Sequence, residues 1–308
     1  MTDSKPFNLV DQIRALRTFK SGTRRAPHKP LLILYAIGQL QAGNKTVTFP
    51  EVKTALLPLL DAYAPPVRRQ HQPELPYWYL STDGLWDVHD RDELDRQASG
   101  FPRMSALQNS TAGFTDEVAE QLSTDSALTA TIVAQLLDEH FAPSTHEAIL
   151  NAAGIHLEGS TSVEESKEQY TTRKKRDPRF REQVLRAYEY RCAFSGFRAA
   201  IGGSYFGCEA AHVQWHAYKG PDLLSNGLSL EPTVHKLFDV GAWSLTDQRT
   251  IIVSQHLTGT DATIERIRSK HGQQLIDPLP GTPELDIKFI RWHREPNQGG
   301  VFRGPALP

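Results

Sequence analysis

His212, Asn226 and His235 stand in the stretch CEAAHVQWHAYKGPDLLSNGLSLEPTVHKLFDVGAW, residues 208–243. Asn226 follows His212 by fourteen positions, and His235 follows Asn226 by nine. A neutral histidine, with an ordinary pKa of about 6.5, can take a proton from water near neutral pH. Asp239 lies four residues after His235. On a helix the two share one face, so a His/Asp pair could clasp one divalent ion. A base beside a cation is the equipment for hydrolysing a phosphate ester. The base deprotonates water, and the cation stabilises charge on the phosphate and on the leaving oxygen. An HxxxD pair alone arises easily by chance in a chain with twelve histidines. The ordered set of AAH, NGLSL and HKLFD is much more specific.

That order and spacing resembles the HNH nuclease motif, a β-hairpin followed by a helix that holds one divalent metal against a scissile phosphate. The resemblance implies that His212 is the general base at the end of a strand. It implies that Asn226, in the returning segment, pins the hairpin and orients the base. His235, on the following helix, would be a metal ligand, with Asp239 beside it and Gly241 ending the helix. The implied cofactor is a divalent ion such as Mg2+, Mn2+, Ni2+, Co2+ or Zn2+. Two departures stand out. Many members carry Asp or His just before the base as a second ligand, where this chain has Ala211. Asp239 or Glu209 would have to compensate, Glu209 sharing the strand face of Ala211. Many members also hold a structural zinc on four cysteines. Here only Cys192 and Cys208 exist, with Ser195 where another cysteine would stand, so a four-cysteine site is impossible.

The segment before the motif is basic. Nine Lys/Arg against three acids lie between 173 and 198. It reads as a helix with Val184, Leu185 and Tyr188 inward. Arg173, Lys174, Lys175 and Arg176 are candidates for contacting DNA phosphates next to a phosphate-cleaving site. The whole chain has a formal net charge of -2, which argues against a uniformly nucleic-acid-binding surface. At 308 residues two domains are expected. The polar, acidic stretch 156–172 reads as the linker between a domain at 1–155 and one at 173–308. No apolar run approaches a membrane span. Two lone cysteines and no signal peptide point to a reducing, cytoplasmic setting.

The first half reads as mainly helical. Helices are expected at 7–19, 28–43, 50–64 and 125–141, with a short strand at TVTF. PYWYLSTDGLWDV (76–88) reads as a hairpin turning at Asp83-Gly84. The fold class is therefore α+β: a winged-helix-like N-terminal domain with a small hairpin, then a ββα-metal domain. Arg24, Arg25, His28 and Lys29 crowd a loop and a helix start, where backbone N–H groups favour anions. Arg103 adds a further basic candidate.

RRAPHKPLLILYAI, followed some fifty residues on by LPYWYLSTDGLWDV and then GF, resembles the sulfur-binding domain of McrA-like type IV restriction endonucleases. Those enzymes pair such a domain with a C-terminal HNH domain and cut DNA whose backbone carries phosphorothioate. The resemblance implies that His28 and Lys29 approach the modified phosphate. It places Leu75, Pro76, Tyr77 and Phe101 at the sulfur pocket, with Leu75 where a tyrosine is common. The implied partner is modified double-stranded DNA, and cutting both strands would call for a homodimer. Two other readings compete: an HNH nuclease reading a modified base, and a catalytically dead HNH regulator.

Overall fold

A computed structural model describes residues 8–18, 20–21, 24–67, 69–157, 178–260, 262–298 and 300–308. The expected linker from residue 158 onward lies outside them, as do Arg173, Lys174, Lys175 and Arg176. The chain divides into two units. One comprises Met1–Phe19, Ala26–His140 and His146–Arg173; the other comprises Lys20–Arg25, Phe141–Thr145 and Lys174–Pro308. Two short pieces of the first half of the chain thus belong to the second unit.

The first unit is built around α2 (His28–Gln41), in which every residue from Pro30 to Gly38 is buried. A helix apolar all round must be covered all round. It packs against α3 (Phe49–Tyr63), α4 (Glu74–Tyr79), α6 (Asp116–Thr124), α7 (Ser126–His140) and α8 (His146–Ala153). α3 starts where Thr48 and Glu51 cap one another reciprocally, with Pro50 in the first turn. Strands β3 (Thr46–Thr48), β4 (Trp86–Val88) and β5 (Thr111–Phe114) form an antiparallel sheet in the order β3-β5-β4. α1 is shorter than the helix expected at 7–19: only Leu9–Arg14, capped by the Asn8 side chain.

The hairpin expected at 76–88, on which the winged-helix-like plan rested, is not formed. Residues Glu74–Tyr79 are α-helical and Leu80–Asp83 continue as a 3-10 turn. Gly84 then takes the left-handed conformation at φ 75° and ends the helical run. Only Trp86–Val88 is a strand, and its partner is β5. Aromatic residues gave Pro76–Leu80 a strand-like look, but Pro76, Tyr77 and Trp78 are buried in succession. Burial on all sides, rather than alternation, is what these rings answer to.

In the second unit, β8 (Glu209–His212) and β9 (Gly227–Leu230) form a hairpin in the register Glu209↔Leu230 to His212↔Gly227. It packs against both α9 (Pro178–Ala187) and α10 (Pro232–Asp239). Val184, Leu185, Ala211, Leu228, Leu230, Val234 and Phe238 share one core with Cys192 and Cys208. Gly227 is required for packing: a Cβ there would lie 2.4 Å from Val184 Cγ2. Gly241, at φ 75°, ends α10 while its N–H and that of Ala242 bond back to Phe238 and Leu237 carbonyls. β10 (Trp243–Leu245), β11 (Ile251–Val253) and a final helix, Ile287–Arg294, complete this core. No helix among the described residues is long and apolar enough to cross a membrane.

Candidate nuclease site and DNA interface

Successive side chains of a strand face opposite ways, and β8 divides the sequence candidates accordingly. His212 meets α9: its ring stacks on Phe180 with centroids 4.2 Å apart and planes at 17°. Its Nε2 lies 2.8 Å from Asp222 Oδ1. Glu209, one face over, meets α10: its Oε2 lies 2.7 Å from His235 Nδ1. The structure thus sets His212 against Asp222 and His235 against Glu209.

Asn226 is fully buried and closes the loop between the strands. Its Oδ1 accepts from Gln214 N at 2.8 Å, and its Nδ2 donates to the Gln214 and Pro221 carbonyls, both at 3.0 Å. Val213 N also donates to the Asn226 carbonyl. Amide chemistry is needed here, because one side chain must accept at one end and donate at the other.

His235 sits between two carboxylates, with Glu209 at Nδ1 and Asp239 Oδ2 at 3.2 Å from Nε2. Burial by itself would lower its pKa. The Asp239 and Glu209 carboxylates more than reverse this and push it up to about 10. Glu209 is held below the usual carboxylate range, chiefly by its hydrogen bond to His235. Asp239 does more than pair with His235. Its Oδ1 accepts from Trp215 Nε1 at 3.0 Å, and its Oδ2 accepts from the Ser144 hydroxyl. The expected His235/Asp239 pair is thus brought together, with Asp239 also held by Trp215 and Ser144.

On the first unit, Lys29 Nζ lies 2.5 Å from Asp83 Oδ2, with side-chain exposures of 11% and 6%. Arg17 N also donates to Asp83. His28 Nε2 lies 3.3 Å from His71 Nδ1. Arg24 and Arg25 form a short strand paired with Lys20–Ser21, grouped with the second unit rather than with His28 and Lys29; their side chains lie outside the described residues. Arg103 is exposed and pairs with Asp95 at 3.0 Å. Of the four expected pocket residues, Leu75 is exposed, Phe101 is half-buried, and Pro76 and Tyr77 are buried. Tyr77 is core: it packs edge-on against Phe49 and Trp86, and its hydroxyl lies 3.0 Å from Ser110 Oγ. Burial pushes that phenol up to about 12. Phe101 instead rests on Trp78 and on the exposed Tyr79, and Trp78 is covered by Arg91 at 4.4 Å.

Comparison with known families covers both units. The family described as ScoMcrA-like, DNA sulfur-binding domain matches residues 6–158, and the HNH endonuclease family matches residues 192–246. The chain joins a DNA sulfur-binding domain to an HNH endonuclease domain. Among solved structures, the sulfur-binding domain of ScoMcrA complexed with phosphorothioated DNA is 21% identical, covering 48% of this chain and 99% of that one, at TM-score 0.41. The sulfur-binding and SRA domains of ScoMcrA, also with phosphorothioated DNA, are 24% identical over 51% of this chain and 50% of that one, at TM-score 0.46. The type IV phosphorothioation-dependent restriction endonuclease ScoMcrA is 15% identical over 77% and 95%, at TM-score 0.39. No curated protein matches the chain.

An HNH endonuclease domain implies a divalent ion, and the donors can be tested for it. Among the described residues no group of three or more His, Cys, Asp or Glu is arranged to hold a metal. Two donors do converge, His235 Nδ1 and the half-exposed Glu209 carboxylate. A hard cation that takes its remaining ligands from water and phosphate needs no more protein donors than that. Asp239, bonded to the other ring nitrogen, fits the outer carboxylate that fixes a ligating histidine's orientation. Sequence reasoning missed Asp222, Trp215 and Ser144. Asp222 and Trp215 are loop residues with no periodic signature, and Ser144 lies 91 positions before His235.

Proposed function

We propose that this chain is a modification-dependent restriction endonuclease: residues 1–155 find a phosphorothioate linkage in duplex DNA, 156–172 form the linker, and 173–308 hydrolyse nearby phosphodiester bonds. The observation that carries this reading is the presence on one chain of the sulfur-binding match at 6–158 and the HNH match at 192–246. We read β8, β9 and α10 as the ββα core of the nuclease. His212 removes a proton from the attacking water, its ring held by Asp222 and by the stack on Phe180. Asn226 fixes the loop that follows His212 and carries Asp222. His235 and Glu209 would hold the divalent ion, which supplies charge stabilisation at the phosphate and the leaving oxygen. One such site cuts one strand, so double-strand cleavage would require two copies.

Sulfur selection would live in apolar contact. Replacing a phosphate oxygen by sulfur keeps the charge but makes one corner larger, more polarisable and a poorer acceptor. Plain phosphate loses about 1–3 kcal/mol when an oxygen is buried without a partner, whereas sulfur loses less and gains dispersion contacts. Leu75, Phe101 and Tyr79 offer the accessible apolar surface for this. Cationic contacts hold either linkage equally.

The test is cleavage of otherwise identical duplexes carrying one phosphorothioate diastereomer, the other, or none, with several divalent metals and with chelator. Cutting confined to one diastereomer and stopped by chelation is the expected result. Equal cutting of plain duplex, or cutting only of base-methylated duplex, would replace this reading with the modified-base one.

A further inference from the structure

We propose that Ser144 is a positioning residue for the nuclease His235, acting through Asp239 in concert with Trp215; this rests on the nuclease reading above. Asp239 is the last residue of α10, where the helix has no following turn to hold a side chain. Its carboxylate is nevertheless buried, with 2% of the side chain exposed. Two neutral donors from outside the helix fix it, the Trp215 indole at Oδ1 and the Ser144 hydroxyl at Oδ2. Oδ2 also faces His235 Nε2. All three partners are donors, so they suit an ionised carboxylate and no other group of that shape.

Ser144 is itself held rigidly. It lies in the 3-10 turn Pro143–Thr145, whose Thr145 N and Oγ1 both bond to the Ala142 carbonyl, at 3.0 and 2.7 Å. Ala142 is buried with Trp215, Tyr218, Trp292 and Val301. This turn falls inside the span matched by the sulfur-binding family, yet it belongs to the second unit. The nuclease unit therefore takes one residue of its network from the chain segment between α7 and α8.

The chemical consequence concerns which nitrogen of His235 faces outward. With Nε2–H donated to Asp239, Nδ1 is the atom turned toward half-exposed Glu209. The hydrogen bond made by one ring nitrogen sets the use of the other. Losing the Ser144 hydroxyl leaves Asp239 Oδ2 with His235 alone. The carboxylate can then turn about the Trp215 bond, and the imidazole turns with it.

The experiment uses the full chain as wild type, Ser144→Ala, Ser144→Thr and Trp215→Phe. Single-turnover cleavage of a phosphorothioate duplex is measured alongside DNA affinity, Tm, and Mn2+ binding by calorimetry without DNA. Ser144→Ala and Trp215→Phe are expected to lower the cleavage rate constant and weaken Mn2+ binding by about 10–100-fold, the usual effect of removing an outer partner of a metal ligand. DNA affinity should stay unchanged. Ser144→Thr, which keeps the hydroxyl, should retain most of the rate. Wild-type-like Mn2+ binding by a folded Ser144→Ala overturns the proposal, as does equal loss in Ser144→Thr. If Ser144→Ala fails to fold, Trp215→Phe decides by the same readouts. A wild type that cuts no duplex overturns the nuclease reading instead, and the Mn2+ comparison still decides the role of Ser144.

Discussion

His212 and Asp222 share a 2.8 Å hydrogen bond across the loop that joins the two strands of the nuclease hairpin. The bond fixes the imidazole from one edge while Phe180 covers its face. Replacing His212 by Ala should lower cleavage by about 10²–10⁴-fold, the usual cost of a lost general base. Asp222→Asn should give a smaller loss, because the ring stays in place but its partner is no longer charged. Binding to modified duplex should be unchanged in both, as read by gel shift. Wild-type rates for His212→Ala would remove it from the base role.

Asn226 should behave differently. Asn226→Ala strips partners from Gln214 N and from the Gln214 and Pro221 carbonyls. Buried groups left unpaired cost about 1–3 kcal/mol each, so Tm should fall along with activity. Asn226→Asp should also destabilise, because a carboxylate cannot donate to the two carbonyls. A variant that loses activity at unchanged Tm would give Asn226 a direct chemical role instead.

The Lys29–Asp83 pair is a stability element in this structure. Lys29→Ala would leave a nearly buried carboxylate uncompensated, at a cost of about 3–5 kcal/mol. Replacing both partners with apolar residues, as Lys29→Met with Asp83→Leu, should recover much of that. Chemical denaturation of the two variants measures it. If the double variant is stable yet binds phosphorothioate duplex poorly, Lys29 also contacts the phosphate.

His293 gives a pH signature. It is fully buried, stacked on Phe238 at 3.7 Å, with Nδ1 at 2.9 Å from Ser244 Oγ and Nε2 donating to the Phe238 carbonyl. Burial opposes its charge and lowers its pKa from 6.5 to about 4. The unfolded chain therefore binds a proton there that the folded chain refuses between those values. The stability His293 contributes is present above pH 6.5 and is lost as pH falls toward 4. Urea unfolding at pH 7 and pH 5 should show this loss. In His293→Gln the part of the slope due to this residue should vanish, and an unchanged slope would contradict the assignment.

Sulfur selectivity should follow the accessible rings and not the buried ones. Tyr77→Phe removes a core hydroxyl contact to Ser110 and should cost about 1 kcal/mol of stability. Its preference for phosphorothioate over plain duplex should be untouched. Leu75→Gly and Phe101→Ala should erode that preference while plain-duplex affinity holds. Fluorescence anisotropy with both diastereomers separates the two outcomes.

The chain of residues settled much of this by itself. The ordered HNH set was legible because a hairpin and helix put chemistry at fixed sequence offsets, and Gly241 ends the helix where its backbone must turn. The central helix His28–Gln41 was legible because a long apolar run with Pro near its start has few alternatives. The stretch 76–88 misled because aromatic residues suit strands and cores alike, and only packing decides between them. The tertiary structure alone decided the partners of charge. Asp83-Gly84 has the composition of a turn, and Asp83 is the buried mate of Lys29. Asp239 stands four residues after His235 in the sequence, and the fold adds Trp215 and Ser144 as its further partners. Carboxylates take whichever donors the fold brings near, from 24 to 95 positions away in this case. Local spacing carries no trace of that choice, because it is made by packing between segments remote in the chain.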